Sequence, residues 1–569
     1  MSKDAPWLKH YGEVPKSIEY PDCTMVEAVM KTAKIHPELT AYSFLGRKRS
    51  YSGLVSDIER VARAFKALGI KPGERVMIYL PNIPQAVECI YALNLIGAVA
   101  VMVHPLSSEG ETAFFIKNSK CRAVVALDQF YGKFAAISSE VRPEFLILTG
   151  VKDALGPIKR VGFALTEGRK IEKVPKSAPV IFWKDFLKGA DPAIDPREER
   201  DARDCAVILY SGGTTGTMKG ILLSNLNFNA LALQTIAMGN CVSAGDKMLT
   251  VMPIFHGFGL GICVHTALVA GCHCILVPRF NVKSYAGLIR KQRPNCIAGV
   301  PTLFEALLKG EDLKGADLSC LKGVFSGGDS LSVELKKKFD AFLKENGAKV
   351  RIREGYGLTE CVTASCLTPY HIEKEGSIGL PFPDTYYKIV RVGGTEALPP
   401  GEIGEICISG PTVMLGYDDM PEETANTLRV HPDGRVWLHT GDLGSMDEDG
   451  FVYFKQRIKR VIISSGYTIY PSQLENVIDS FKGVKMSCVI GVPDPYRMQR
   501  PKAFVVLEEG VKPTEEFKKA LVEHCRRNIA RYAMPKEFEF RDSLPKTGVG
   551  KIAYTQLEAE EAAKLKSSN

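Results

Sequence analysis

Tyr210-Ser-Gly-Gly-Thr-Thr-Gly-Thr-Met-Lys-Gly220 is the stretch from which the rest of the chain is read. Gly212, Gly213 and Gly216 open backbone conformations closed to residues with side chains, so successive N–H groups can converge on one anion. Ser211, Thr214 and Thr215 add hydroxyl donors, and Lys219 adds a positive charge. The spacing is not that of a P-loop, because Lys219 is followed by Gly220 and Ile221 where Ser or Thr is required. The flanks differ as well. Cys205-Ala-Val-Ile-Leu209 and Ile221-Leu-Leu223 read as short buried strands, whereas a P-loop opens directly into a helix. The stretch is expected to close a hairpin and to hold phosphate. A plain surface turn is the competing reading, and the choice depends on the rest of the chain.

Upstream, Leu54, Ile58, Val61, Phe65 and Leu68 recur at helical spacing, with Gly69 and Pro72 as the stop. Strands are expected over 75–80, 98–103 and 123–127, with helices over 85–95 and 110–118 between them. Such alternation makes a parallel sheet with helices on its faces. The first fifty residues show little pattern, and 151–178, rich in Lys, Gly and Pro, read as a solvated loop or lid. A second α/β set runs from Met248 to Val350, with Leu331, Leu335, Phe339, Phe342 and Leu343 along one helical face. From Tyr387 to Tyr453, short strands between Gly and Pro turns predict a small bent antiparallel sheet. After Arg460 comes a compact α+β module with strands over 487–492 and 503–507 and a helix over 514–528. The fold class is therefore α/β: two doubly wound subdomains and a bent sheet in a large domain, 1–459, followed by a small α+β domain, 460–569.

At 569 residues two or more domains are expected. With 45% hydrophobic and 24% charged residues, the composition is that of an ordinary globular protein. The formal charge of +8 is spread along the chain, which suits small anionic ligands and gives no footprint for nucleic acid. Fifteen cysteines without a Cys-x-x-Cys pair point to reduced thiols. In Cys272-His273-Cys274, alternation along a strand turns His273 away from both thiols, so core packing is expected rather than zinc. No signal peptide opens the sequence and no peroxisomal tripeptide closes it, so a cytoplasmic location is expected. Gly257 to Val277 carries no charged residue and is long enough to span a bilayer. Gly271 divides it into a helix and a strand, so a buried helix-turn-strand is expected, no transmembrane segment is assigned, and peripheral membrane contact is left open.

Five further stretches carry chemistry: Pro253-Ile-Phe-His256-Gly-Phe-Gly, Ser326-Gly-Gly-Asp-Ser330, Gly355-Tyr-Gly-Leu-Thr-Glu360, Thr440-Gly-Asp442-Leu-Gly and Leu544-Pro-Lys-Thr-Gly-Val-Gly-Lys551. With the 210–220 loop they resemble, in order and interval, the adenylate-forming superfamily, which includes acyl-CoA synthetases, and the resemblance covers nearly the whole chain. It implies that His256 sits beside the nucleotide and the acyl carboxylate. Gly327, Gly328 and Asp329 would lie against adenine. At the central motif, Gly355 and Gly357 flank Tyr356, whose aromatic face suits adenine; Thr359 offers a hydroxyl to the α-phosphate. Glu360, with Thr215, would hold Mg²⁺, which prefers hard oxygen ligands. Asp442 would accept both ribose hydroxyls. Arg457 would touch the nucleotide, Lys459 would be the hinge that makes the small domain, 460–569, mobile, Gly466 and Tyr467 would border the CoA pantetheine, and Lys551 would be catalytic. Gln456 and Met498-Gln499 depart from the usual family residues.

The resemblance implies ATP-dependent activation of a carboxylic acid through an acyl-AMP, then transfer to CoA, with Mg²⁺ as cofactor. Phe255, Phe258, Val300, Phe304 and Val362 are expected at the acyl pocket. No acidic residue lies between Lys247 and Val300 to pair with an ammonium, which disfavours an amino acid. A medium- or long-chain fatty acid is expected, with aryl or steroid acids as alternatives. A ligase loading a carrier protein, a light-emitting oxygenase and a non-enzymatic nucleotide-binding or adaptor protein are the competing functions. Oligomeric state is not legible.

Overall fold

Arg75–Tyr79, Val99–Met102 and Ala123–Leu127 form strands almost free of polar residues, the signature of strands covered on both faces. They pair in parallel at the centre of an eight-stranded sheet, with the helix Tyr51–Ala67 before the first and the helices Pro84–Leu95 and Glu109–Ser119 between them in sequence. The structure is a computed structural model and describes residues 5–212, 218–279, 281–464, 467–494, 498–529, 531, 533–547 and 552–567. Cys205–Gly212 joins the sheet in parallel beside Val99–Met102, and Met218–Ser224 returns antiparallel to it. The 210–220 stretch therefore closes a hairpin at the sheet's end.

The second sheet has nine strands. Its parallel core contains Lys247–Thr250, His273–Leu276, Cys296–Gly299, Gly323–Ser326 and Ile352–Tyr356. Thr40–Phe44 also joins it, parallel to His273–Leu276, with Arg47–Ser50 on the edge. The first fifty residues are thus patterned after all. Met25–Ile35 is a helix whose Thr24 and Glu27 form a capping box, which fixes its start. The uncharged run is buried, as expected, but it winds as a π-helix over Phe258–Thr266 before Ala267–Val269 and the strand His273–Leu276. Among the described residues no helix is long and apolar enough to cross a membrane. His273 Nε2 meets Ser43 Oγ at 2.8 Å, while Cys272 and Cys274 donate to the carbonyls of Ser243 and Cys263. The three residues of that strand are packing groups.

Tyr386–Val390, Gly404–Ser409, Leu428–Val430, Val436–Met446 and Val452–Arg457 form the bent antiparallel sheet. A one-turn 3₁₀ segment, Ile458–Arg460, follows, and Ile462–Ser464 already pairs within the last sheet. That sheet holds Val484–Asp494, Met498–Leu507 and Glu537–Phe540, covered by Glu515–Asn528. Inside it Lys502 is almost fully buried, with its ammonium within 2.8 Å of Glu537, Glu539 and Glu561. The 151–178 segment is not a plain loop. It carries short helices over Val151–Ala154, Pro157–Leu165 and Glu167–Lys170, because Ile158, Val161 and Leu165 repeat with helical period.

Candidate active site

Parallel strands end their backbone with carbonyls and turns at one edge, and crevices outside that edge bind ligands in doubly wound folds. Here Gly323–Ser326 runs into Gly327, Gly328 and Asp329, and Ile352–Tyr356 runs into Gly357, Thr359 and Glu360. Both turns open on a cleft of about 1440 Å³, which also takes Ser211, Lys219, His256, Asp442 and Arg457 from other elements. Asp329 turns its own carboxylate back to accept the Ser330 amide at 2.9 Å. Gly213, Thr214, Thr215, Gly216, Gly466 and Lys551 lie outside the described residues, as do the side chains of Lys459 and Tyr467. Thr547 and Ile552, on either side of 548–551, line the cleft.

Close backbone approach explains two glycines. A Cβ on Gly257 would stand 1.7 Å from the Val362 carbonyl oxygen, and one on Gly357 would stand 2.1 Å from that of Thr363. Both segments are thereby pressed against the 359–363 turn. Val362 itself has φ of +65°, a strained value for a β-branched residue, and it directly follows the Thr359–Cys361 turn. His256 Nδ1 accepts the Phe258 amide at 3.2 Å, so a neutral ring carries its proton on Nε2.

Glu360 is oriented by a residue the sequence did not single out. The Tyr417 hydroxyl donates to Glu360 Oε1 at 2.9 Å. Lys219 lies 4.7 Å above the Tyr417 ring and pairs with Glu423. One chain of contacts thus joins the hairpin to the carboxylate. Burial and the Glu360 charge hold the Tyr417 phenol well above its ordinary range, so it donates at neutral pH. The base of the hairpin is fixed nearby, where Arg75 clasps the buried Asp418 at 2.7 and 2.8 Å and the Asp418 amide donates to the Gly220 carbonyl.

Asp442 is 1% exposed. It accepts the Tyr356 hydroxyl at 2.6 Å and pairs with Arg457 at 3.2 Å. The Tyr356 ring lies 5.8 Å from Phe454. Two departures from the family pattern have structural partners: Gln456 Oε1 accepts the Ser472 amide at 3.4 Å, and Gln499 Oε1 accepts the Ile463 amide at 3.0 Å.

Behind the same turns lies an apolar cavity. Gly328, Gly355 and Thr363 border both spaces, and Gly327 faces the cavity. Phe258, Ile262, Ala267 and Met248 line its walls, and Cys241, Asp246, Cys272 and Cys296 lie toward the opposite strand ends. Asp246 is an acidic residue at that far end, just outside the interval free of acids, and it is committed to Lys322 at 2.8 Å and to the Ser243 amide. Of the five expected pocket residues, Phe258 lines the cavity and Phe255 lines the cleft. Phe304 is instead fully buried, 4.9 Å from Phe339, because the amphipathic helices Pro301–Lys309 and Val333–Glu345 pack on each other there.

Two buried groups beside the site were also not foreseen. Glu354 accepts the Leu331 amide at 3.1 Å, and burial pushes its carboxyl up to about 8. Arg353 donates to three backbone carbonyls, Thr368, Gly239 and Met238, at 2.6 to 2.8 Å, two of them at the C-terminus of the Asn225–Gly239 helix, where a cation is favoured. Among the described residues, Cys407, His431 and His439 form a triad with metal-ligand composition. Lys388 donates to His431 Nδ1 at 3.3 Å, the two imidazoles meet Nε2 to Nε2 at 3.0 Å, and His439 Nδ1 donates to Glu405 at 3.0 Å. These bonds give every ring nitrogen a partner and describe a hydrogen-bonded chain.

The AMP-binding enzyme family matches residues 29–418, and its C-terminal domain matches 473–551. A long-chain-fatty-acid–CoA ligase of Bacillus subtilis (strain 168) is 36% identical, covering 99% of both chains. One of Salmonella typhimurium is 32% identical, covering 98% of this chain and 99% of the relative. Among solved structures, ATP-bound MatB from Rhodopseudomonas palustris superposes with a TM-score of 0.82 at 27% identity, covering 95% of this chain and 99% of that one. With its motifs gathered on one cleft and its whole length matched, this chain belongs to the AMP-binding enzyme family.

Proposed function

We propose that the protein is an AMP-forming acyl-CoA synthetase. It would activate a medium- or long-chain fatty acid with ATP to an acyl-AMP, then transfer the acyl group to CoA, releasing pyrophosphate and AMP. One observation carries this reading: the polar cleft holding His256, Glu360 and Asp442 adjoins a cavity of apolar lining across the shared residues Gly328, Gly355 and Thr363. A carboxylate placed at that border reaches the nucleotide while its tail leaves water. The cavity walls, among them Met248, Phe258, Ile262 and Ala267, offer an alkyl tail an apolar environment, each buried methylene being worth about 0.8 kcal/mol.

A carboxylate is a poor acylating agent because its oxygen is a poor leaving group, and adenylation replaces that oxygen with AMP. In this reading Asp442 accepts the ribose hydroxyls, Arg457 holds Asp442 and touches the nucleotide, and the turns at 327–329 and 355–357 flank adenine. His256 donates from Nε2 toward the acyl carboxylate. Thr359 binds the α-phosphate, and Lys551 neutralises charge as the carboxylate oxygen attacks it. Ser211, Lys219 and residues 212–216 hold the departing pyrophosphate. The hard carboxylate of Glu360, fixed by Tyr417 beside the phosphate hairpin, suits Mg²⁺ with Thr215; the ion would supply charge neutralisation at the phosphates. Thiolation follows rotation of 460–569 against 1–459 about Lys459, bringing Gly466 and Tyr467 to the pantetheine. A cytoplasmic location fits substrates of this kind.

The test is pyrophosphate release over a panel of carboxylic acids, followed by CoA-dependent AMP release. Saturated acids of eight to sixteen carbons should outpace acetate, phenylalanine, benzoate and ferulate. Activity confined to aryl acids or acetate overturns the substrate assignment. Adenylation without CoA-dependent turnover assigns a carrier-protein acceptor instead.

A further inference from the structure

The helix Pro157–Leu165 faces the wrong way for a globular protein. Ile158 is 89% exposed, Val161 62% and Leu165 57%. At 100° per residue these three fall within about 60° of one another on the helix, so the exposed apolar groups form one stripe. Phe163, on the opposite side, packs against the core. Lys159 donates to the Leu45 carbonyl, which fixes the helix to the hairpin of 40–50 and leaves Leu45, itself 46% exposed, beside it. The stripe is therefore held outward by two anchors. An apolar stripe kept in water by its own scaffold marks a surface with an occupant.

The charges around it identify that occupant. Residues 157–176 hold six basic residues, Lys159, Arg160, Arg169, Lys170, Lys173 and Lys176, against Glu167 and Glu172, which is half of the formal +8 of the whole chain in twenty residues. None of the six lines the cleft; Lys159 bonds the Leu45 carbonyl and Lys170 pairs locally with Glu167. A short helix with an exposed apolar stripe, in a tract of mostly exposed residues of net charge +4, suits the interface of an anionic bilayer, where the stripe enters the acyl boundary and the cations meet phosphates. We propose that Pro157–Leu165 and the basic tract through Lys176 dock the protein on anionic phospholipid surfaces.

The proposal is read without any activity measurement, so its fate is separate from that of the proposed reaction. The full chain is sedimented with phosphatidylcholine vesicles and with vesicles containing about one-third phosphatidylglycerol. Binding should be at least tenfold stronger to the anionic vesicles and should weaken as salt rises. The double variant Ile158→Asp, Val161→Asp and, separately, the charge variant Arg169→Glu, Lys173→Glu, Lys176→Glu should each lose binding at least tenfold. Their thermal unfolding should stay that of the parent, since the side chains are exposed. No sedimentation of the parent with anionic vesicles, or equal binding by parent and both variants, overturns the proposal. Self-association in analytical ultracentrifugation that Ile158→Asp abolishes, without vesicle binding by the parent, would assign the face to a second copy of the chain instead.

Discussion

Glu360 reaches the cleft with one oxygen already engaged by Tyr417, so its position is set before any cation arrives. If the carboxylate holds Mg²⁺, Glu360→Gln keeps the Tyr417 bond and removes the charge. Adenylation should then fall about a hundredfold, and half-saturating Mg²⁺ should rise, because several kcal/mol of charge stabilisation is lost. Tyr417→Phe keeps the charge and loses one hydrogen bond, so a drop of about tenfold at unchanged stability is expected. An unaltered Mg²⁺ titration with normal turnover in Glu360→Gln would remove Glu360 from the metal. Glu354 gives a pH prediction. Its carboxyl is raised by burial to about 8 in the folded chain against about 4.5 unfolded, so the native state binds the extra proton. The associated stability is complete below pH 4.5 and declines, by up to about 1.4 kcal/mol per pH unit, as pH rises toward 8. Glu354→Gln keeps an acceptor for the Leu331 amide, so chemical denaturation across this window should show a flatter profile than the parent; an identical slope would refute the assignment. The sequence displayed Glu360 through its motif. Tyr417 and Glu354 carried no such signal, because their roles come from partners 57 and 23 positions away.

At the scale of elements, if the cavity takes the acyl tail, the segment after the π-helix should control chain length. Ala267 lines the wall and is buried, so Ala267→Phe should fill part of the bore. Each methylene excluded forfeits about 0.8 kcal/mol, or roughly fourfold in binding. Octanoate activity should survive while acids of fourteen carbons and longer lose at least tenfold in kcat/KM, measured over a homologous series. A uniform loss across all lengths would place the acyl tail elsewhere. Arg353 tests the packing behind the cavity, where it holds the carbonyl of the lining residue Gly239. Arg353→Met leaves three buried carbonyls without their donor, and a loss of about 3 kcal/mol is expected in urea denaturation. Periodicity revealed the central strands and helices because their apolar patterns are local. It did not reveal that Thr40–Phe44 belongs to the second sheet, since parallel pairing with His273–Leu276 joins segments more than two hundred residues apart. Nor did it separate Phe304 of the helix core from Phe258 of the cavity: both are apolar and buried, and only packing tells a wall from a filling. The helix Pro157–Leu165 had a readable period, masked by the Lys, Gly and Pro around it.

For the whole molecule, the strand Val452–Arg457 belongs to one sheet and Ile462–Ser464 to another, so a turn of a few residues is all that joins the two units. The C-terminal unit brings Thr547, Ile552 and Tyr554 to the cleft, and Arg460 lies 4.8 Å over the Tyr554 ring. Thr547 and Ile552, which flank the 548–551 segment in sequence, are thus on the cleft wall, as the first half-reaction would require. If the unit must turn for the second, two substitutions should fail at opposite steps. Lys551→Ala should lower acyl-AMP formation by several orders of magnitude, followed by pyrophosphate exchange, yet still convert supplied acyl-AMP and CoA to acyl-CoA. Lys459 occupies the middle of the 3₁₀ segment Ile458–Arg460, and the first turn of a helix tolerates proline because its amides lack helical partners. Lys459→Pro should therefore leave this conformation and adenylation intact. It should slow CoA consumption from acyl-AMP, since φ is locked near −65° and the segment loses the freedom to reach a second arrangement. Equal loss of both half-reactions in both variants would describe one static site. Opposite losses would place the chemistry of this chain in two arrangements of the same residues, exchanged at a single turn.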